Sequence, residues 1–388
     1  MKETSLVIVA AGKGERAGGA CGTAKQFRTL GGICLWKWSA SAGERLYARG
    51  RVHECVLVVP EIALDAVHRE TFGWKAPFRV VPGGAERQES VLRGIEAASG
   101  EYVLVHDGAR PFLSEELAGR LIDSLTPDCG VIPLLPVSDA LKKTGDDRTL
   151  VAFPREGLWL SQTPQGFPRK KLVSVLTSHG GGAKDEAEAW ISAGFPLLQV
   201  KGERKNIKIT WEEDFALAES YVQRTVRTGI GYDIHPLVPG RRFILGGVDF
   251  PDFPLGFAGY SDGDVLVHAV CDALLGAAGM GDIGLIYPAG DPAYRNIASI
   301  RLLADTARRV EQDGWTLEWI DSVICAQEPK LTGSLPRMIS TMEEVFPEAW
   351  RGRLHLKAKS GERVGPVGES HSIVCHSAAT LWRPADIF

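Results

Sequence analysis

Leu6-Val-Ile-Val-Ala-Ala11 is an unbroken apolar run that stops at Gly12-Lys-Gly-Glu-Arg16. A strand with no polar side has to be covered on both faces, which points to a parallel sheet with helices above and below it. Apolar runs at Cys55–Pro60, Phe78–Val81, Tyr102–His106 and Gly130–Pro133 repeat the pattern. Helical segments lie between them; in Arg87–Ala98, Val91, Leu92 and Ile95 make one stripe. The alternation predicts a doubly wound, Rossmann-like α/β layer with its ligand site at the carboxyl ends of the strands.

Chemistry-bearing residues fall at those ends. The turn after the first run exposes backbone N–H groups suited to phosphate, with Arg16 and Lys25 as mobile cations. It matches neither the dinucleotide fingerprint nor the P-loop, and the same residues also suit a plain strand-to-helix turn. Gly83, Gly84 and Ser90 follow a later strand, and His106-Asp107-Gly-Ala-Arg110 ends the next. Asp107 suits a Mg²⁺ ion, which proteins hold with one or two carboxylates plus substrate phosphates, and equally suits a turn or helix cap.

At 388 residues the chain is long for one domain, since roughly 150 residues per domain is usual. A net charge of -4 and a pI near 6.2 argue against a dedicated nucleic-acid binder. Seven cysteines, odd in number and never spaced Cys-x-x-Cys, fit free thiols in a reducing compartment. The first apolar run is too short for a signal peptide, and no apolar run approaches the ~18 residues that span a bilayer. These features predict a cytoplasmic protein with no membrane or nucleic-acid partner.

Past the middle the pattern changes. Phe215 to Val226 reads as a closing helix, and a short junction without a Pro- or Ser-rich tract leads into Gly229-Ile-Gly-Tyr-Asp-Ile-His235. Asp233 and His235, two apart in a strand, project to one face. His268 follows near a predicted helix start, with Asp264 one turn before it and Asp272 one turn after. Two imidazoles and a carboxylate suit a tetrahedral zinc with an open position. The same residues also suit turn and capping hydrogen bonds. Helices at about Asp264–Ala278, Ile297–Asp313 and Leu335–Phe346, strands at Leu317–Ala326 and Arg353–Ala358, and a final helix are expected. Together they predict a compact α+β domain, giving domains 1–226 and 227–388.

Ala10-Ala-Gly-x-Gly-x-Arg16, Lys25-Gln26, Gly83-Gly84-x-x-Arg87-x-x-Ser90, His106-Asp-x-Ala-Arg-Pro111 and Asn206-Ile-Lys-Ile-Thr210 occur in that order. As a set they resemble 2-C-methyl-D-erythritol 4-phosphate cytidylyltransferase over about residues 3–223. The resemblance implies transfer of CMP from CTP to methylerythritol phosphate with release of pyrophosphate. It implies that Arg16 and Lys25 stabilise the α-phosphate and that Asp107 holds Mg²⁺ or Mn²⁺. Ala10, Ala11, Gly12, Gly14, Gly84 and Ser90 would bind the nucleotide, and Arg155 and Lys208 the polyol phosphate.

Gly229-x-Gly-Tyr-Asp-x-His235, Leu245-Gly-Gly-Val248, Ser261-Asp-Gly-Asp-Val-x-x-His268, Gly281-Asp-Ile-Gly284 and Ala326-Gln-x-Pro-Lys330 resemble 2-C-methyl-D-erythritol 2,4-cyclodiphosphate synthase over about residues 227–384. The resemblance implies cyclisation of a CDP-methylerythritol phosphate with loss of CMP. Asp233, His235 and His268 would hold zinc and Glu362 a second divalent ion, with Tyr260, Ser261 and Ser360 beside the phosphates. Asp282 and Gly284 would meet the diol, and Ala326, Pro329 and Lys330 the cytosine. It also implies a homo-oligomer, trimeric through the second domain, with a dimer of trimers if first domains pair.

The chain departs from these patterns in places. Ala24 and Ala140 replace a usual proline and threonine, Ser360 replaces a threonine, and Tyr260 stands for a histidine. Pro366 and Glu369 replace an aromatic residue and an arginine, which predicts weaker CDP binding. The leading expectation is a bifunctional enzyme of the non-mevalonate isoprenoid pathway. A second reading is an active cytidylyltransferase whose zinc-binding C-terminal domain is impaired and serves assembly. A third is a sugar-1-phosphate nucleotidyltransferase with an attached zinc hydrolase.

Overall fold

The computed structural model describes residues 2–12, 24–144, 149–180 and 182–385. Residues up to Val222 form one compact unit and Gln223–Ala385 a second.

In the first unit, strands Thr4–Val9, Glu54–Val59, Phe78–Pro82 and Tyr102–Asp107 run parallel, with Thr4–Val9 between Glu54–Val59 and Tyr102–Asp107. Leu6, Val7 and Ile8 are fully buried, as a strand covered on both faces requires. The sheet is mixed: Gln165–Pro168 runs antiparallel beside Tyr102–Asp107, and Leu197–Lys201 pairs in parallel with Gly130–Pro136. Strand order therefore reverses at Thr4–Val9, opening a crevice between its carboxyl end and that of Tyr102–Asp107. Ligands of open α/β sheets bind at such switch points.

The second unit is a five-stranded sheet backed by helices. Helix Val265–Ala278 is capped by Asp264, whose side chain accepts from the Val267 N–H, and it closes at Gly279 in the left-handed region. It lies on strand Arg224–Pro239, and two glycines permit the approach. A Cβ on Gly229 would sit 2.3 Å from the Ala273 carbonyl oxygen, and one on Gly231 1.8 Å from that of Ala269.

Two sequence expectations need correction. The closing helix runs only Glu213–Tyr221, and Arg224 already pairs with Pro384 in the second sheet, so residues 224–226 are strand. Among the described residues no final helix follows Arg353–Ala358 apart from the single turn Gly365–Gly368; the last element is instead strand Ser372–Pro384. That strand lies between Arg224–Pro239 and Thr316–Cys325, bonded to both, and the two ladders outweigh the helical preference of Ser377-Ala-Ala.

Candidate active sites

A cleft of about 650 Å³ opens at the switch point of the first unit, lined among others by Ala10, Ala11, Gly12, Lys25, Gly84, Ser90, Asp107 and Lys208. The sequence singled out all eight. Gly83 and Gly84 bring the second loop against the first: a Cβ on Gly83 would lie 2.2 Å from Ala11 Cβ. The Gly84 N–H donates to Ser90 Oγ at 3.0 Å, fixing the loop on the first turn of helix Arg87–Ala97. Gln26 Nε2 donates to the Gly12 carbonyl at 3.0 Å, and Lys25 Nζ to the Ile209 carbonyl at 2.5 Å.

Asp107 is the electrostatic centre. Lys208 Nζ lies 2.7 Å from its Oδ2, and Arg87 Nη2 donates to its Oδ1 at 3.1 Å. Burial pushes this carboxyl up, but Arg87 and Lys208 outweigh it and hold the group far below the usual carboxylate range. Arg87 is itself clamped by buried Glu186, at 2.6 Å. Neither Arg87 nor Glu186 was assigned a site role from sequence. Arg87 stood within a quoted motif, whereas nothing local marks Glu186, 99 positions away. Behind Asp107, burial lowers His106 to about 4, so it is neutral at pH 7. Its ring nitrogens meet the Arg110 carbonyl at 3.0 Å and Thr163 Oγ1 at 3.3 Å.

Arg155 does not line this cleft; its guanidinium donates to the Ser138 carbonyl on an exposed segment. Gly14 and Arg16 lie outside the described residues.

In the second unit, Gly229, Gly231, Asp233 and His235 alternate along one strand face, the face on which helix Val265–Ala278 rests. His268 Nδ1 lies 3.0 Å from Asp233 Oδ2. His235 Nδ1 bonds the Ile234 carbonyl at 2.8 Å, which leaves Nε2 as its free lone pair. Asp233, His235 and His268 offer ligand atoms within 4.8 Å of one another. A Cβ on Gly259 would stand 3.4 Å from His235 Nε2, so glycine keeps the approach to that nitrogen open. This donor set fits a tetrahedral N,N,O cation with a position left for a ligand.

Asp264 accepts from the Gly246 and Gly247 N–H groups at 2.9 and 2.7 Å; burial, reinforced by Asp262, pushes its carboxyl up to about 6. Asp272, one turn beyond His268, accepts from the Ile283 N–H at 2.7 Å and so fixes the segment carrying Asp282 and Gly284. Tyr260 donates its hydroxyl to the Asp291 carbonyl at 3.0 Å.

Other predicted residues gather at the carboxyl ends of strands Thr316–Cys325 and Leu354–Lys359. The Ala326 N–H donates to the Lys359 carbonyl at 2.9 Å, Ser360 Oγ to Glu362 Oε1 at 2.5 Å, and the Arg363 N–H to Gln327 Oε1 at 3.3 Å. Pro329 and Lys330 continue the first of these loops. Among the described residues no hydrogen bond or ion pair joins this cluster to Asp233, His235 or His268.

Each unit matches a known family. The family model for 2-C-methyl-D-erythritol 4-phosphate cytidylyltransferase matches residues 4–224, and the YgbB family model matches residues 226–382. A bifunctional enzyme IspD/IspF from Anaeromyxobacter dehalogenans is 37% identical over 98% of this chain and 97% of its own. The chain belongs to the bifunctional IspD/IspF enzymes. A second such enzyme, from Anaeromyxobacter sp. (strain Fw109-5), is also 37% identical, over 98% of both chains. The bifunctional IspDF of Campylobacter jejuni aligns at 31% identity over 98% of both chains, with a TM-score of 0.47.

This is an enzyme of the methylerythritol phosphate pathway with both catalytic domains present, a cytidylyltransferase and a cyclodiphosphate synthase. The family of the second domain is typically metal-dependent, and Asp233, His235 and His268 are side chains able to hold a metal ion. No helix among the described residues is long and apolar enough to cross a membrane.

Proposed function

We propose that the first cleft binds CTP and 2-C-methyl-D-erythritol 4-phosphate and joins them at the nucleotide α-phosphate. The observation that carries this is the meeting of Lys25, Lys208 and Arg87 with Asp107 at the switch point. Bringing a phosphomonoester to a triphosphate sets anion against anion, so the site must neutralise charge and hold both groups in line. Lys25, with Arg16, faces the α-phosphate; Ala10, Ala11, Gly12, Gly14, Gly84 and Ser90 hold the nucleotide. Asp107 would hold Mg²⁺ or Mn²⁺, which would supply further neutralisation. Lys208 exchanges Asp107 for the polyol phosphate; Arg155, which the resemblance assigns to that phosphate, does not line this cleft. The reading fails if the chain releases no pyrophosphate from CTP, methylerythritol phosphate and Mg²⁺.

The second site closes a cyclic diphosphate from 4-CDP-2-C-methyl-D-erythritol 2-phosphate and releases CMP. Asp233, His235 and His268 would hold zinc, which when bound would supply Lewis-acid and template chemistry for a phosphate oxygen. Tyr260, Ser261 and Ser360 face the phosphates, with a second divalent ion at Glu362; Asp282 and Gly284 meet the diol. Ala326, Pro329 and Lys330 hold the cytosine. The separation of that cluster from the triad, and the exposed side chains of Ile230, Tyr232, Ile234 and Trp319, support completion of the site between copies. The assembly is a trimer through the second domain. Exposed Leu150, Val151, Phe153 and Leu160 support pairing of first domains into a dimer of trimers in the cytoplasm. Sedimentation of the full chain as a monomer at micromolar concentration would exclude the assembly.

One observation favours an impaired cyclase used for assembly: the Tyr260 hydroxyl is spent on the Asp291 carbonyl. Supplying the 2-phosphorylated CDP compound and measuring CMP decides between the two readings.

A further inference from the structure

Ser299 opens helix Ser299–Gln312, yet its hydroxyl caps nothing there; the cap residue is Ala298, and no side-chain cap bond is made. The hydroxyl is fully buried and turned toward the metal-ligand set. Its oxygen lies 2.9 Å from His268 Nε2 and 2.5 Å from Asp262 Oδ1. Asp262 Oδ2 accepts from the Ser299 N–H at 2.9 Å, and Oδ1 also accepts from the Asp264 N–H at 3.2 Å. Ser261 Oγ stands 3.2 Å from the same His268 nitrogen and 3.4 Å from Ser299 Oγ, and accepts from the Gly263 N–H at 3.1 Å.

We infer that Ser299, oriented by Asp262, is a positioning residue that fixes which nitrogen of His268 binds the metal. A serine hydroxyl has one proton to give, and a carboxylate only accepts. With that proton directed to Asp262, Ser299 offers His268 a lone pair, so the proton of the neutral ring resides on Nε2. The free lone pair is then on Nδ1, the atom 3.0 Å from Asp233 Oδ2. Histidine ligands generally give their second nitrogen to such a partner, whose loss costs ~10–100-fold in metal affinity. Here the partner is a hydroxyl whose direction is set one residue further out. Ser261 shares the same N–H, which places Ser261 and Ser299 in one buried relay from Asp262 to the metal ligand.

The inference rests on the zinc reading of the triad, and the test separates the two. Zinc affinity of the full chain is measured by competition with a chromophoric chelator for the unsubstituted protein, Ser299→Ala, Ser299→Thr and Asp262→Asn. The expected result is a loss of ~10-fold or more for Ser299→Ala and for Asp262→Asn, whose amide would present a donor to Ser299, with recovery in Ser299→Thr. Histidine ¹⁵N NMR of the zinc-loaded, unsubstituted chain gives a second readout: His268, assigned by its loss in His268→Gln, is bound through Nδ1 and keeps its proton on Nε2. Equal affinity in Ser299→Ala, or ligation through Nε2, overturns the inference. If the unsubstituted chain takes up no zinc, the metal site itself is wrong. If Ser299→Ala does not fold, Asp262→Asn and the spectrum decide.

Discussion

Lys208 Nζ lies 2.7 Å from Asp107 Oδ2, an ion pair at the carboxyl end of a central strand and on the wall of the cytidylyltransferase cleft. With Arg87 on the other oxygen, Asp107 carries two cations. Lys208→Ala is expected to lower kcat/KM for pyrophosphate release by ~100-fold or more, the scale for loss of one preorganised electrostatic contact. The KM for the polyol phosphate should rise while that for CTP stays close to its original value. Equal rises in both would remove Lys208 from its assigned role.

His106 gives the first unit a defined acid sensitivity. Its buried ring titrates at about 4, against ~6.5 when unfolded. Because the folded value is depressed, the unfolded chain binds more protons between these limits, and stability falls as pH drops from ~6.5 toward 4. The loss is on the order of 3 kcal/mol. His106→Gln should flatten this limb in denaturant titrations of the full chain, read on the transition of the first unit. An unchanged slope would mean that the ring is not held neutral.

Much of this architecture is legible from residue order. The apolar strands and the period-two placement of Asp233 and His235 are local patterns, and they survive folding unchanged. The last strand is not: Ser377-Ala-Ala-Thr380 carries no strong strand signal, and only its two neighbours make it one. Glu186 and Ser299 are hidden for a related reason. Each acts on a residue far along the chain, Arg87 and His268, and no spacing rule spans such distances.

Gly231 predicts a sharp separation between the two activities. A Cβ there would lie 1.8 Å from a backbone oxygen of helix Val265–Ala278, an overlap that side-chain rotation cannot relieve. Gly231→Ala should destabilise the second unit by about 3 kcal/mol or more, above the usual range for overpacking. Zinc content and CMP release should fall with it, while pyrophosphate release continues. Retention of zinc at full occupancy would show that the helix can move away.

Tyr260 tests whether the second activity is tuned down. Tyr260→Phe removes one partly exposed hydrogen bond to Asp291 and should cost no more than ~1 kcal/mol. Tyr260→His restores a side chain able to carry positive charge and is expected to raise the rate of CMP release. If the His and Phe variants both turn over like the unsubstituted chain, the hydroxyl contact and the missing charge are both irrelevant to the step.

The separation of the Asp233 triad from the cluster around Ala326 and Glu362 has a genetic reading. If each working cyclase site draws one part from each of two chains, then two defective polypeptides carry complementary lesions. Co-assembly of a His268→Gln chain with a Glu362→Gln chain should recover CMP release that neither has alone, because some pairings join two intact halves. A cell carrying both alleles would grow where either single mutant could not.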